Sequence, residues 1–326
     1  MTTSPLAALG VDIAKAKFDV ALLQDGRTQH QSFANTQAGF AQLQVWLRAR
    51  ATLPLCACLE ATGRYGEAVA LFLHAQGVRV SVVNPAQIKA FAQSELVRTK
   101  TDKADAALIA RFCVAQRPAV WTPPPPEQRQ LQALARRRQA LQAMRQQERN
   151  RQDLEGPDSP IASSLAEHIA HLDQQLATVQ EQITAHLRAC PVLHQQAQLL
   201  QSIPGIGTLT ATMLLAEMPL LGRYRSARQA AAYAGLSPRQ RQSGSSVCGK
   251  TRLSKVGNAA VRRALYLPAV TAMRANPLLR EFAQRLLAAG KPKMCVVGAV
   301  MRKLLHQAHG VLKHNRPFDP HYAPTT

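Results

Sequence analysis

The chain is short of acid, of aromatics and of paired cysteines. Among 326 residues, 19 are Asp or Glu against 40 Lys or Arg. Aromatic residues make up 5%, so base stacking on aromatic platforms is not a major theme. The six cysteines, Cys56, Cys58, Cys113, Cys190, Cys248 and Cys295, form no Cys-x-x-Cys pair. That pattern argues against a disulfide frame or zinc site and for reduced thiols in a cytoplasmic protein. No stretch approaches the ~18 apolar residues of a membrane span. Met1-Thr2-Thr3-Ser4-Pro5 lacks the charge and apolar run of a signal peptide, and no lipidation motif or nucleotide-binding loop is present. With 46% hydrophobic and 18% charged residues the composition is globular rather than disordered. The length suits about two domains.

What is present is positive charge, +21 in all, which calls for a polyanionic partner. It is unevenly spread. Residues 1–118 carry 13 basic and 8 acidic side chains, and residues 119–326 carry 27 and 11. The window from Met218 to Arg280 holds 12 basic residues and no acid. Chemistry in front and nucleic-acid grip behind is the reading; a solvated basic surface is the bland alternative.

The front half reads as three short strands, 6–13, 17–23 and 28–34, with Asp25-Gly26 as the second turn. Helix 36–50, strand 54–59 ending at Glu60, helix 65–76, strand 78–83, and helices 85–95 and 103–116 follow. This α/β order resembles a ribonuclease-H-like domain, assigned to residues 6–118. Pro123 to Pro126 forms a stiff linker. Gln128–Arg151 is helical. Ile161, Leu165, Ile169, Leu172, Leu176, Val179, Ile183 and Leu187 then make a coiled-coil seam, either pairing with another copy or closing on itself. The linker and coiled coil span 119–195, an all-α basic domain spans 196–318, and an irregular tail spans 319–326.

Asp12 ends the first strand, Glu60 ends the fourth, and Asp102 and Asp105 share one face where a helix begins. Strands ending at one sheet edge bring such acids together. Two like charges 4 Å apart repel by about 4 kcal/mol at a surface-like dielectric, so the grouping calls for cations. Hard oxygen donors select Mg²⁺ or Mn²⁺, and two such ions suit phosphodiester displacement. Singly, Asp102 could simply cap a helix and Asp12 could end a strand at a turn. Asp19 is a competing fourth ligand.

In the rear, Ser202-Ile203-Pro204-Gly205-Ile206-Gly207-Thr208 has the pattern of a helix-hairpin-helix. Gly205 and Gly207 would let backbone N–H groups approach phosphate, or simply form a tight helix–helix turn. Arg239, Arg241, Lys250, Arg252 and Lys255 surround the loop Ser243-Gly244-Ser245-Ser246. A serine among cations is a candidate phosphodiester nucleophile, or part of a passive phosphate cradle.

Gly10-Val11-Asp12-Ile13-Ala14-Lys15, Glu60-Ala61-Thr62-Gly63, Asn84-Pro85 and Lys100-Thr101-Asp102-Lys103-Ala104-Asp105-Ala106 resemble, in order and spacing, the DEDD transposases of the insertion-sequence 110 family. Ala234-Gly235-Leu236-Ser237-Pro238-Arg239 and the Ser-Gly-Ser-Ser run resemble the C-terminal domain of that family. The likeness runs from about residue 8 to 318 and is weakest over the coiled coil. It implies a RuvC-like front domain with Mg²⁺ on Asp12, Glu60, Asp102 and Asp105. It also implies nucleophilic Ser243, with Ser245 and Ser246 as alternatives, and a covalent protein–DNA intermediate. The expected partners are donor and target double-stranded DNA, a structured guide RNA, and further copies of the chain in a dimer that assembles into a synaptic complex. Two rivals remain: a metal-dependent nuclease of the Holliday-junction-resolvase type with passive Ser243, and a non-catalytic nucleic-acid-binding protein.

Overall fold

Residues 7–61, 63–156, 158–243 and 247–321 are described by a computed structural model. The chain forms two compact units that divide inside the proline run, Met1–Pro123 and Pro124–Thr326.

The first unit begins with β1 (Ala7–Ile13), β2 (Lys17–Gln24), β3 (Arg27–Ala34), α1 (Gln37–Arg50) and β4 (Leu55–Glu60). It continues with α2 (Glu67–Ala75), β5 (Arg79–Val83), α3 (Pro85–Ser94) and α4 (Asp102–Gln116). The five strands form one mixed sheet in the order β3-β2-β1-β4-β5. The β1–β2 and β2–β3 pairs are antiparallel, and β1–β4 and β4–β5 are parallel. Central β1 and β4 are buried on both faces, as their near-continuous apolar runs require. One face packs Phe18, Phe40, Leu43, Val69 and Leu73. The other packs Ile88, Ile109 and Phe112. Helix starts follow local chemistry. The Thr36 and Thr101 hydroxyls accept from the N–H groups of Gly39 and Ala104. Asn84 caps α3 with Pro85 at its first position.

The second unit opens with α5 (Pro126–Glu155) and α6 (Ala162–Ala189). They lie antiparallel: Asp173 pairs with Arg145 and Arg149, and the His186 ring bonds the Glu127 carbonyl. Leu165, Leu172, Leu176, Val179, Ile183 and Leu187 of the predicted seam are buried. All but Leu165 share a core with Leu131, Ala135 and Leu141 of α5 in the same chain. There follow α7 (Pro191–Gln201), α8 (Thr208–Glu217) and α9 (Ala227–Tyr233). Then come β6 (Pro238–Ser243), β7 (Val247–Leu253), α10 (Ala259–Ala264), α11 (Tyr266–Ala275), α12 (Pro277–Ala288) and α13 (Lys293–His314). One continuous core runs from Leu131 to Val311. The helices read as a separate 119–195 segment therefore share their core with the helices read as 196–318.

The rear region is not all-α. Residues expected to form a loop supply an antiparallel two-stranded hairpin, β6–β7, with a register shift between Arg239 and Arg241. β6 is polar and basic, and β7 holds its apolar residues Val247, Cys248 and Leu253 at its two ends, so neither shows a sustained apolar alternation from which a strand could be read. No helix among the described residues is long and apolar enough to cross a membrane.

Candidate functional site

Parallel pairing of β1 and β4 sets Val11 beside Leu59. The next residues along, Asp12 and Glu60, therefore sit at the same end of the sheet. Helix α4 crosses β1, β2 and β4, and its first turn holds Asp102 and Asp105. The crossing is close because Gly10 has no side chain: a Cβ there would lie 2.1 Å from the Ala106 carbonyl oxygen and 2.3 Å from the Ala110 nitrogen.

The carboxylates interact. Burial, then the charges of Asp105 and Asp102, push the Asp12 carboxyl above its ordinary value. Burial, then Asp12 and Asp105, push Glu60 up, partly offset by Lys100. Asp102 differs. It is exposed, and Lys17 donates to its Oδ2 at 2.8 Å while also reaching Asp19 at 3.0 Å. That hydrogen bond holds Asp102 below the usual carboxylate range. Asp19 lies opposite Asp12 in the β1–β2 ladder. Thus Asp12, Glu60 and Asp105 share one field, and Asp102 is held at its margin by a lysine that the sequence reading did not single out. The signal was slight: Lys17 and Asp19 alternate on one strand, which puts them on the same face.

The donors are all hard oxygens, which suits Mg²⁺ or Mn²⁺ and not a soft metal. Among the described residues no three acidic, His or Cys side chains stand close enough to hold a metal ion. The edge is a set of donors within electrostatic reach, not a closed cage.

In the second unit, Ser243 is the last residue of β6 and pairs with Val247. Ser245 and Ser246 lie outside the described residues. Arg241 and Lys250 are placed in the strands by their backbones, and their side chains, like that of Ser243, lie outside what is described. Arg239 and Arg252 are exposed and directly opposite each other in the ladder. Like charges so paired destabilise a hairpin unless a polyanion neutralises them. Lys255 is exposed just beyond β7.

The two loop glycines separate. Gly205 has φ +106°, and a Cβ on it would lie 2.7 Å from the Ala272 Cβ, so it packs against α11. Gly207, at the N-terminus of α8, has open space where a Cβ would stand. Only Gly207 remains free to approach a ligand. A cavity of about 1000 Å³ between α12, α13 and residues 316–319 contains none of the predicted site residues.

Residues 197–284 match the transposase IS116/IS110/IS902 family, and residues 9–153 match the DEDD transposase domain of IS110 elements. A pilin gene-inverting protein of Moraxella bovis is 36% identical over 314 residues, covering 95% of this chain and 97% of that protein. A putative transposase of Sinorhizobium fredii is 28% identical over 325 residues, covering 82% and 81%. An insertion-element protein of Streptomyces coelicolor is 34% identical over 131 residues, covering 40% and 31%.

Proposed function

Since the chain belongs to the transposase IS116/IS110/IS902 family, whose members are enzymes acting on DNA, we propose that it exchanges DNA strands through a serine ester whose formation depends on a carboxylate metal site, supplied by the same chain or by another copy. A DEDD domain implies a divalent metal; the proposal makes it Mg²⁺, with Mn²⁺ able to substitute, held by Asp12, Glu60, Asp102 and Asp105. The observation carrying the reading is the mutual charging of Asp12, Glu60 and Asp105 at one edge of the sheet. Such repulsion persists where a cation is to be bound. When bound, the ion supplies positive charge against the phosphate oxygens and the leaving oxygen.

Ser243 is the nucleophile. Its Oγ bonds to phosphorus as the phosphodiester P–O bond to one DNA strand breaks. The serine proton passes to a base, and the departing oxygen becomes a hydroxyl. A partner strand's hydroxyl then reverses the step, so the ester conserves the bond energy without ATP. The cations of the hairpin region, Arg239, Arg241, Lys250, Arg252 and Lys255, with Gly207 at the start of α8, bind DNA phosphates, and Gly205 shapes the turn before it. On the family likeness, a structured guide RNA pairs with donor and target DNA, and the chain works as a dimer that assembles further. The RuvC-like nature of the first unit belongs to the same reading, supported by the sheet order β3-β2-β1-β4-β5.

A second reading concerns the outcome rather than the chemistry. The match to the Moraxella bovis pilin gene-inverting protein is nearly end to end, which favours inversion of a flanked segment over insertion elsewhere.

Expression of the gene with its flanking DNA, followed by denaturation and recovery of protein-linked DNA, tests the mechanism. A linkage present in the wild type and lost in both Ser243→Ala and Asp105→Ala is expected. Metal-dependent nicking that survives Ser243→Ala would replace the proposal with a nuclease. Binding without cleavage under any divalent metal would replace it with a binding protein. Sequencing the junctions separates inversion from insertion.

A further inference from the structure

Glu217 is the last acid before the 63 residues that contain none. It is also buried, which an unpaired carboxylate does not tolerate. It ends α8. Arg136 of α5 donates to its Oε1 at 2.8 Å through Nε and to its Oε2 at 3.3 Å through a terminal nitrogen. Asn258 donates to the same Oε2 at 2.9 Å, and the Tyr233 hydroxyl donates to the Glu217 carbonyl at 3.3 Å. Burial alone would raise this carboxyl; the hydrogen bonds from Arg136 and Asn258 outweigh it and hold the group below its ordinary value.

The partners of Glu217 stand at the root of the β6–β7 hairpin. Asn258 follows β7 by five positions, and its N–H donates to the Tyr233 carbonyl at 2.7 Å. Its Oδ1 caps α10 by accepting from Ala260 and Val261. The two ends of the hairpin are tied by Ser254 N–H to Ser237 O at 2.8 Å and Lys255 N–H to Gly235 O at 3.2 Å. The Arg262 guanidinium bonds the carbonyls of Ala234 and Lys255 at 3.1 and 3.3 Å. Gly257 makes the crossing possible: a Cβ there would lie 2.2 Å from the Tyr233 carbonyl oxygen.

We propose that Glu217 is the positioning residue of the serine hairpin, pinning its root to α5 through Arg136 and to the α10 cap through Asn258. The chemical consequence rests on the Ser243 reading above; the anchoring does not. A two-stranded hairpin is marginal by itself, so the placement of its far end is set by what holds its root. Displacing the nucleophile by 1 Å is enough to cost on the order of 100-fold in rate.

The test compares the full-length wild type with Glu217→Ala, Glu217→Gln and Asn258→Asp. Glu217→Ala removes both acceptors. Glu217→Gln keeps one acceptor oxygen, enough for Asn258. Asn258→Asp keeps the α10 cap but loses the donor to Glu217, which covers the case in which Glu217→Ala fails to fold. Amide hydrogen exchange of residues 238–243 and 247–253 reads the anchoring. The rate of protein–DNA linkage and the DNA Kd read its consequence. Glu217→Ala and Asn258→Asp are expected to speed hairpin exchange by about 10-fold or more, leaving the amides of α6 and α13 at wild-type protection. They slow linkage on the order of 100-fold with DNA Kd little changed. Glu217→Gln, which keeps the Asn258 bond and loses the Arg136 Nε bond, recovers both in part. Wild-type hairpin exchange in Glu217→Ala and Asn258→Asp would overturn the proposal. Equal loss of protection across the whole second unit would also overturn it, since Glu217 would then be a general stability residue. Faster hairpin exchange in a protein whose wild type makes no Ser243-dependent linkage would uphold the anchoring and refute the serine reading instead.

Discussion

Gly10→Ala tests whether the approach of α4 to β1 sets the acid edge. Gly10 is in the middle of the sheet, paired with Ala21 on one side and Cys58 on the other. Ala106 and Ala110 of α4 are fully buried beside Ala21, so helix and strand meet almost backbone to backbone. A methyl on Gly10 would lie 2.1 Å from one backbone atom of α4 and 2.3 Å from another. Neither target is a side chain that could swing away. Ordinary contact needs about 3.5 Å, so the helix must retreat by about 1 Å. Overpacking of this kind costs roughly 1–3 kcal/mol, which lowers the melting midpoint of a unit this size by roughly 5–10 °C. Asp12 stands two residues beyond Gly10, and Asp105 stands one residue before Ala106. The same retreat therefore opens the gap between the two carboxylates. Divalent-metal-dependent DNA cleavage should fall on the order of 100-fold, by the sensitivity of catalysis to a 1 Å displacement. Thermal unfolding by circular dichroism and a nicking assay below the lowered midpoint measure the two effects. A Gly10→Ala protein that melts and cleaves like the wild type would refute the claim that this contact spaces the acids.

The carboxyls of Asp12 and Glu60 are raised from unfolded values of 3.8 and 4.5. Each therefore costs stability once ionised: the cost is absent below the unfolded value and grows as pH rises through the folded one. Asp12→Asn should melt above the wild type in EDTA at neutral pH and lose the upward shift that added Mg²⁺ gives the wild type. Gly205→Ala should lower the midpoint through its positive φ and its contact with Ala272. Gly207→Ala should leave the midpoint unchanged and weaken DNA binding in a filter assay. Leu131→Ala, in the core shared by α5 and the later helices, should cost about 2–5 kcal/mol in urea unfolding. Arg239→Ala should reduce the slope of log K for DNA against log salt by about 1.

What the sequence disclosed, and what it hid, follows from how local each cause is. The first three strands and their Asp25-Gly26 turn were legible because alternation and turn chemistry act within a few residues. The start of α3 was legible because Asn84-Pro85 stops the preceding strand; at α4 the sequence offered Asp102 as the cap, whereas Thr101 takes that role and Asp102 is the first helical residue. The meeting of Asp12 and Glu60 followed from strands ending at one edge. The hydrogen bond of Asp102 to Lys17 was not legible: the two residues are 85 positions apart, and no pattern along the chain links them. The β6–β7 hairpin was read as a loop because its sequence is dominated by Gly, Ser, Gln, Arg and Lys and shows no sustained apolar alternation. The seam of α6 was plain, but whether it closes on this chain or on another copy depends on Leu131 and Leu141, whose spacing alone names no partner.

Glu217 shows the limit most clearly. Read in sequence, it is one carboxylate at the end of an apolar helix, with nothing to distinguish a surface charge from a buried one. Its partners are 81 residues before it and 41 after it. The acid-free window that follows was read as a surface for a polyanion. The same absence has a second consequence. With no carboxylate between Met218 and Arg280, the hairpin cannot be tied down by ion pairs within its own segment. Glu217, just before the window, takes that role through Arg136 and Asn258. A hairpin kept free of acid for its work on phosphate has to borrow its anchor from outside, and that anchor is a buried one because an exposed pair contributes little.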